Sequence, residues 1–166
     1  MENQIFVDWG ESKVKLKWES KKSISQNEIV TSVHCYCFYK GKILLVHVKK
    51  RGFTCPGGHI EIGETPEDTI HREVYEEGYV KGKIYYLGAI QVSHEDNPNF
   101  SEKGKYPLIG YQLFYKMDIE ECLPFLREYE TLSRIWIEPE EFPYVVKDHD
   151  LTLLILKEAL RIPCLD

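Results

Sequence analysis

GHIEIGETPEDTIHREVYEEGYV, residues 58–80, carries two signals at once. The first is structural. Thr65, followed by Pro66 and Asp68, has the form of a helix N-terminus: a threonine cap, a proline suited to the first turn, and an acid that completes a capping box. Ile70 and Val74 lie four apart and mark the flank that packs on a sheet. The helix is expected to run to about Glu77, with Gly78 as its C-terminal stop.

The second signal is a set of acids. Glu73, Glu76 and Glu77 are three and four apart, so they share a helix face, and like charges at that spacing destabilise a helix by roughly 0.2–0.5 kcal/mol per pair. They also sit toward the C-terminal end, where the macrodipole disfavours anions. One reading is a solvated acidic face. The other is a grip on a hard divalent cation, which takes oxygen ligands, beside a Gly57-Gly58 loop open enough to admit a phosphate chain.

Outward from this stretch the chain mixes strands and helices. Val14 to Trp18 alternates apolar and polar residues and reads as a half-buried strand. Ile29 to Tyr39 and Lys42 to Val48 are β-rich runs around Lys40-Gly41, a hairpin turn. Arg51 to Gly58 is punctuated by glycine and proline and reads as a loop. Ile84 to Val92 and Tyr111 to Met117 are further strands, separated by a polar loop, His94 to Lys105, expected to be mobile. Arg134 to Ile137 reads as a short strand, Glu138 to Pro143 as a turn or short helix, and Leu151 to Leu160 as a closing amphipathic helix capped by Asp148 or Asp150. This order points to an α/β or α+β sandwich.

Bulk properties narrow the field. The 166 residues suit one domain, here taken as 1–166 with residues 1–28 as an extension that either lengthens the sheet or forms a homodimer contact. No apolar run approaches the ~20 residues that cross a bilayer, and the acidic, polar start is unlike a signal peptide, so a cytoplasmic protein with no membrane partner is expected. The net charge of −6 argues against a broad nucleic-acid footprint but not against a small anion held through a metal. The cysteines (Cys35, Cys37, Cys55, Cys122 and Cys164) are odd in number and read as reduced thiols. Zinc is disfavoured, because no C-x-x-C occurs and Cys35-x-Cys37 matches strand alternation. His47, His59 and His94 receive no role.

Gly58, Glu64, Arg72-Glu73, Val74 and Glu76-Glu77 together have the spacing of the signature of the Nudix hydrolases, a MutT-like superfamily. Cys55-Pro56-Gly57-Gly58 also resembles the entry to that motif, and a weaker likeness extends over about Ile29 to Arg161. One position departs. The family places its last glycine where this chain has Tyr79, and the simplest account is a helix that stops one residue early, at Gly78, leaving the acids in place.

The resemblance implies an α/β/α sandwich around a central mixed sheet. It further implies a Mg²⁺-dependent pyrophosphohydrolase, with Mn²⁺ as a possible substitute. The reaction is attack of water on phosphorus in a nucleoside diphosphate linked to another group: an ordinary or oxidised nucleoside triphosphate, or a related compound such as a nucleotide sugar. Glu73 and Glu77 are then direct metal ligands, Glu76 a ligand directly or through water, and the Gly58 carbonyl a backbone ligand. Arg72 braces Glu73 or another acid, unless it is a surface arginine. Gly57 supports the loop, and Glu64 supports the loop or an acid, unless it only favours the helix dipole. In MutT-like proteins the general base precedes a tryptophan-containing strand. Glu130, ahead of Trp136, is the candidate, with Glu128 in reserve. Phe53, Tyr106 and Tyr111 could stack a base or simply fill the core. Three alternatives stay open: hydrolysis of the triphosphorylated 5′ end of RNA, a non-catalytic nucleotide sensor, and an isopentenyl diphosphate isomerase, for which Cys55 would need a glutamate partner.

Overall fold

A computed structural model describes residues 2–164. Among them, one mixed sheet is built from β1 (Gln4–Trp9), β2 (Ser12–Ser20), β3 (Val30–Tyr39), β4 (Lys42–Val48), β5 (Gly52–Thr54), β6 (Gly57–His59), β7 (Val80–Ser93), β8 (Ile109–Cys122) and β9 (Thr131–Ile137). The strand order is β1-β2-β7-β8-β3-β4-β5, with β6 paired to β3 and β9 to β4. β3 and β8 run parallel, and the other pairs are antiparallel. The helices are α1 (Pro66–Gly78), α2 (Phe142–Val145), entered through a 3-10 turn at Pro139–Glu141, and α3 (Leu151–Arg161).

Strand alternation sorts the core into two layers. Val33, Cys35 and Cys37 of β3 face α1 together with Leu44 and Val46 of β4. Tyr36 and Phe38 face the other way, toward α2 and α3, with Trp18 and Phe114. α1 seats Ile70 and Val74 on the first layer with no exposed surface, each such burial contributing roughly 1.5–3 kcal/mol. α3 buries Leu151, Ile155, Leu156 and Ala159 against the second. The expected sandwich around a mixed sheet is what is found.

Several local expectations are corrected. Arg51 to Gly58 is not a simple loop. Its two short strands find partners, β5 on β4 and β6 on β3, which stretches of glycine and proline do not announce. β7 and β8 extend well past the expected limits because they pair with each other along most of their length. The N-terminal extension takes the first of its two expected roles and lengthens the sheet, since β1 pairs with β2 and β2 with β7. His94 to Lys105 has no helix or strand, as expected of a loop, and its first half is anchored: His94 and Asn97 are buried, and Asn99 donates through Nδ2 to the Glu11 carbonyl, while residues 101–105 are exposed. Neither aspartate caps α3 with its side chain; Asp148 Oδ1 accepts from the His149 N–H instead.

Candidate active site

The start of α1 is built as its sequence predicts. Thr65 Oγ1 accepts from the Asp68 N–H at 3.1 Å, and Asp68 Oδ2 accepts from the Thr65 N–H at 3.0 Å. Glu64, just ahead, accepts a two-pronged bond from Arg72: Nε to Oε2 at 2.7 Å and Nη2 to Oε1 at 2.9 Å. This fork, with the Glu61 N–H, holds the Glu64 carboxyl down at about 2. The same arginine donates through Nη1 to Glu73 Oε1 at 2.7 Å and to Glu76 Oε2 at 3.4 Å, and through Nη2 to the His59 carbonyl at 3.2 Å. One guanidinium therefore joins the loop before the helix to two of its acids.

Glu73 and Glu77 lie against the glycines of β6. Glu77 Oε1 accepts from the Gly57 N–H at 2.8 Å. The Glu73 carboxylate occupies the space that any side chain at Gly58 would fill, since a Cβ there would stand 2.3 Å from Oε1. Burial pushes the Glu77 carboxyl up to about 7, against the pull of the Gly57 amide, and the charges of Glu73 and Glu130 add to the rise. Burial also raises Glu73, despite Arg72.

Among the described residues no three His, Cys, Asp or Glu side chains already converge as a chelating group. Glu73 is drawn to Arg72, and Glu77 to the Gly57 amide. The donor set nonetheless fits a hard divalent ion. Glu73, Glu76, Glu77 and the Gly58 carbonyl are all oxygen donors on adjoining elements, and the half-buried Glu73 and Glu77 are raised as a bound cation would relieve.

The end of α1 differs from the expectation. The helix does not stop early at Gly78; it includes Gly78, and Tyr79 takes the left-handed cap with φ 56° and ψ 41°. Gly78 serves packing, because a Cβ there would meet Leu44 Cδ2 at 2.7 Å. A left-handed tyrosine costs on the order of 1–3 kcal/mol that glycine would avoid. The terminal carbonyls are satisfied by side chains of β9: Thr131 Oγ1 donates to the Glu77 carbonyl at 2.7 Å, and Arg134 Nη1 to the Gly78 carbonyl at 2.9 Å. Arg134 thus supplies the cation that the helix's own last turn lacks.

Glu130 sits in the segment between β8 and β9, near enough to Glu73 and Glu77 for its charge to be felt by both. Glu128 donates its backbone N–H to Tyr79 Oη at 2.8 Å. The three aromatic candidates are not brought together. Phe53 packs on His47 across the β4–β5 pair. Tyr106 is exposed beside His94. Tyr111 is buried, accepting from Gln91 Nε2 with Lys22 over its ring.

Sequence reasoning missed a cavity of about 250 Å³ on the α3 side of the sheet, walled by Trp9, Tyr36, Phe114 and half-buried His34, with Gln112 and Asp148 as polar edges. His34 stacks on Phe114 at 4.9 Å, and burial pushes its imidazole down to about 4. Cys55 also lines the space, its thiol pushed up by burial, beside an aspartate rather than a glutamate. Because His34 pairs with Gly57 across β3 and β6, the cavity and the acids lie to either side of the glycine pair.

Comparisons with known proteins agree with this fold. The model of the family described as the NUDIX domain matches residues 29–154. The Bacillus subtilis pyrophosphohydrolase BsRppH superposes with a TM-score of 0.70 at 22% identity, over 95% of this chain and 96% of that one. The MutT protein of Bacillus halodurans gives 0.58 at 23% identity, over 76% and 78%. An ADP-ribose pyrophosphatase of Streptococcus suis gives 0.54 at 20% identity, over 79% and 91%. At these identities the likeness is one of fold. No curated protein matches the sequence. Among the described residues no helix is long and apolar enough to cross a membrane.

Proposed function

The chain belongs to the Nudix family of phosphoanhydride hydrolases, and from that premise we propose that it cleaves the diphosphate linkage of a nucleoside triphosphate, ordinary or oxidised, in a Mg²⁺-dependent reaction with water. The observation that carries this reading is the packing of Glu73 and Glu77 against Gly57 and Gly58, which holds two raised carboxylates where a phosphate chain can approach. Glu73, Glu76, Glu77 and the Gly58 carbonyl would hold Mg²⁺, or Mn²⁺ in its place. Bound there, the ion supplies neutralisation of phosphate charge and a more acidic water.

The remaining work falls to the protein's own side chains. Arg72 orients Glu73 and Glu76 while Glu64 fixes the guanidinium from the other side. Glu130 accepts the proton of the attacking water as general base. The cavity takes the base: at about 250 Å³ it is below the ~300–1,000 Å³ of most ligand pockets, so it has room for a ring system and not a whole nucleotide. The diphosphate then lies toward Gly57-Gly58, and stacking on the half-buried His34 ring, itself stacked on Phe114, contributes on the order of 1–3 kcal/mol.

A second substrate, the triphosphorylated 5′ end of RNA, is favoured by one feature. Trp9 of the N-terminal hairpin lines the cavity and is 41% exposed, so a further base could stack on its outer face. Colorimetric phosphate detection, with and without added inorganic pyrophosphatase, across nucleoside triphosphates and triphosphorylated RNA tests both substrates. Signal that requires Mg²⁺ and added pyrophosphatase is the expected result. A higher kcat/KM on RNA would select the second substrate, and no cleavage of any diphosphate would turn the reading to a nucleotide-binding module.

A further inference from the structure

We propose that Tyr79 is a positioning residue that holds the segment carrying Glu130 over the acids of α1, an inference that rests on the reading of Glu130 as general base. A tyrosine in the left-handed region is unfavourable, yet this one is 2% exposed and engaged on every side. Its hydroxyl accepts from the Glu128 N–H at 2.8 Å, and its carbonyl accepts from the Leu123 N–H at 2.9 Å. Its ring meets Phe125 edge-on at 5.0 Å and lies 6.2 Å from Tyr129.

These contacts cover a segment, residues 123–130, that has neither helix nor strand to hold it. Arg127 within it is itself left-handed, with φ 56°, and the chain bends at Tyr129 and Glu130. Tyr79 holds Leu123 and Phe125 ahead of Arg127, and Glu128 and Tyr129 after it. On the far side of Glu130, Thr131 Oγ1 is bonded to the Glu77 carbonyl. Glu130 is therefore bracketed by two links to the end of α1, one through the Tyr79 hydroxyl and one through Thr131. A glycine at 79 would keep the second link and delete the first. Space filling alone would need the ring but not the hydroxyl, and that distinction makes the role testable.

The experiment measures kcat, KM, Mg²⁺ affinity and melting temperature for Tyr79→Phe, Tyr79→Gly, Glu130→Gln and the Tyr79→Phe/Glu130→Gln double variant. Tyr79→Phe is expected to lower kcat about tenfold, with KM and Mg²⁺ affinity within about twofold of the parent. Tyr79→Gly should lose at least as much kcat although it removes the left-handed strain, and it carries the test if the phenylalanine variant fails to fold. In the Glu130→Gln background the added phenylalanine should change kcat by less than about twofold, because both changes act through one group. A large loss in Glu130→Gln with full activity in Tyr79→Phe overturns the inference and leaves the reading of Glu130 intact, and so does an additive double variant. Full activity in Glu130→Gln overturns that reading, and the inference with it.

Discussion

At its first turn α1 is made as an isolated helix would be made, with a threonine cap, a reciprocal aspartate, a proline and acids where the macrodipole favours them. At its last turns almost every one of those preferences is reversed. Glu73, Glu76 and Glu77 crowd one face at the negative end, the last turn has no cation of its own, and a tyrosine occupies a conformation suited to glycine. The first turn can be explained by helix stability alone. The last turn needs residues outside the helix, namely Glu64 acting through Arg72, Thr131 and Arg134 on the terminal carbonyls, and the glycines of β6 against the acids. Departures from local preference collect where chemistry is proposed, and neighbouring elements compensate for them.

The contrast breaks most sharply if the acids are dispensable. Glu73→Gln and Glu77→Gln should each lower Mg²⁺-dependent turnover by about 10³-fold or more, with melting temperatures equal to or above the parent's, because each removes a half-buried like charge. Retained turnover would mean that the last turn is only an acidic surface. Gly58→Ala comes next. The new methyl would collide with the side-chain carboxylate of Glu73 rather than with backbone, so folding should survive while kcat/KM drops on the order of 10²-fold. A value within twofold of the parent would show that the Glu73 position against β6 is immaterial.

Acidification should act on the two ends differently. In metal-free solution Glu77 binds its proton more tightly when folded, at about 7 against its ordinary 4.5. Its contribution to stability is therefore fully present below 4.5 and is lost as pH rises through 7. The difference in urea unfolding free energy between parent and Glu77→Gln should change by on the order of 2–3 kcal/mol between pH 5 and 8, and saturating Mg²⁺ should abolish that slope. Using the glutamine variant as reference cancels His34, whose depressed value titrates in the opposite sense. Glu64, held at about 2, stays ionised throughout. The smallest effect is at the opposite end: Thr65→Ala should cost about 1 kcal/mol in denaturant titration and leave turnover per folded molecule unchanged.

What could be read from the chain follows the distance over which each feature is determined. The capping box is decided within four residues, so Thr65, Pro66 and Asp68 announce it. The Lys40-Gly41 turn is equally local, with φ of 50° and 79°. Gly57 and Gly58 have no strand character of their own and become extended only because β3 offers them partners, Gly58 lying opposite Val33. The role of Tyr79 is hidden because what it touches lies more than forty residues on, at Leu123, Phe125 and Glu128. The cavity is hidden for the same reason. His34 reaches Phe114 through the parallel register of β3 and β8, and Asp148, which resembles a helix cap in sequence, lies at the cavity's edge.

That parallel register also governs how the molecule must assemble. Thr31 bonds to Tyr111 across 80 residues, so β3 finds β8 only after everything between them has been made. Closing so large a loop places this chain among topologies that refold in milliseconds to seconds rather than microseconds. Until that encounter β3 lacks its central neighbour, and the apolar side of α1 has only half a floor to rest on. Nascent or refolding chains are then most exposed to aggregation, and the rate of this one strand meeting sets the length of the exposure.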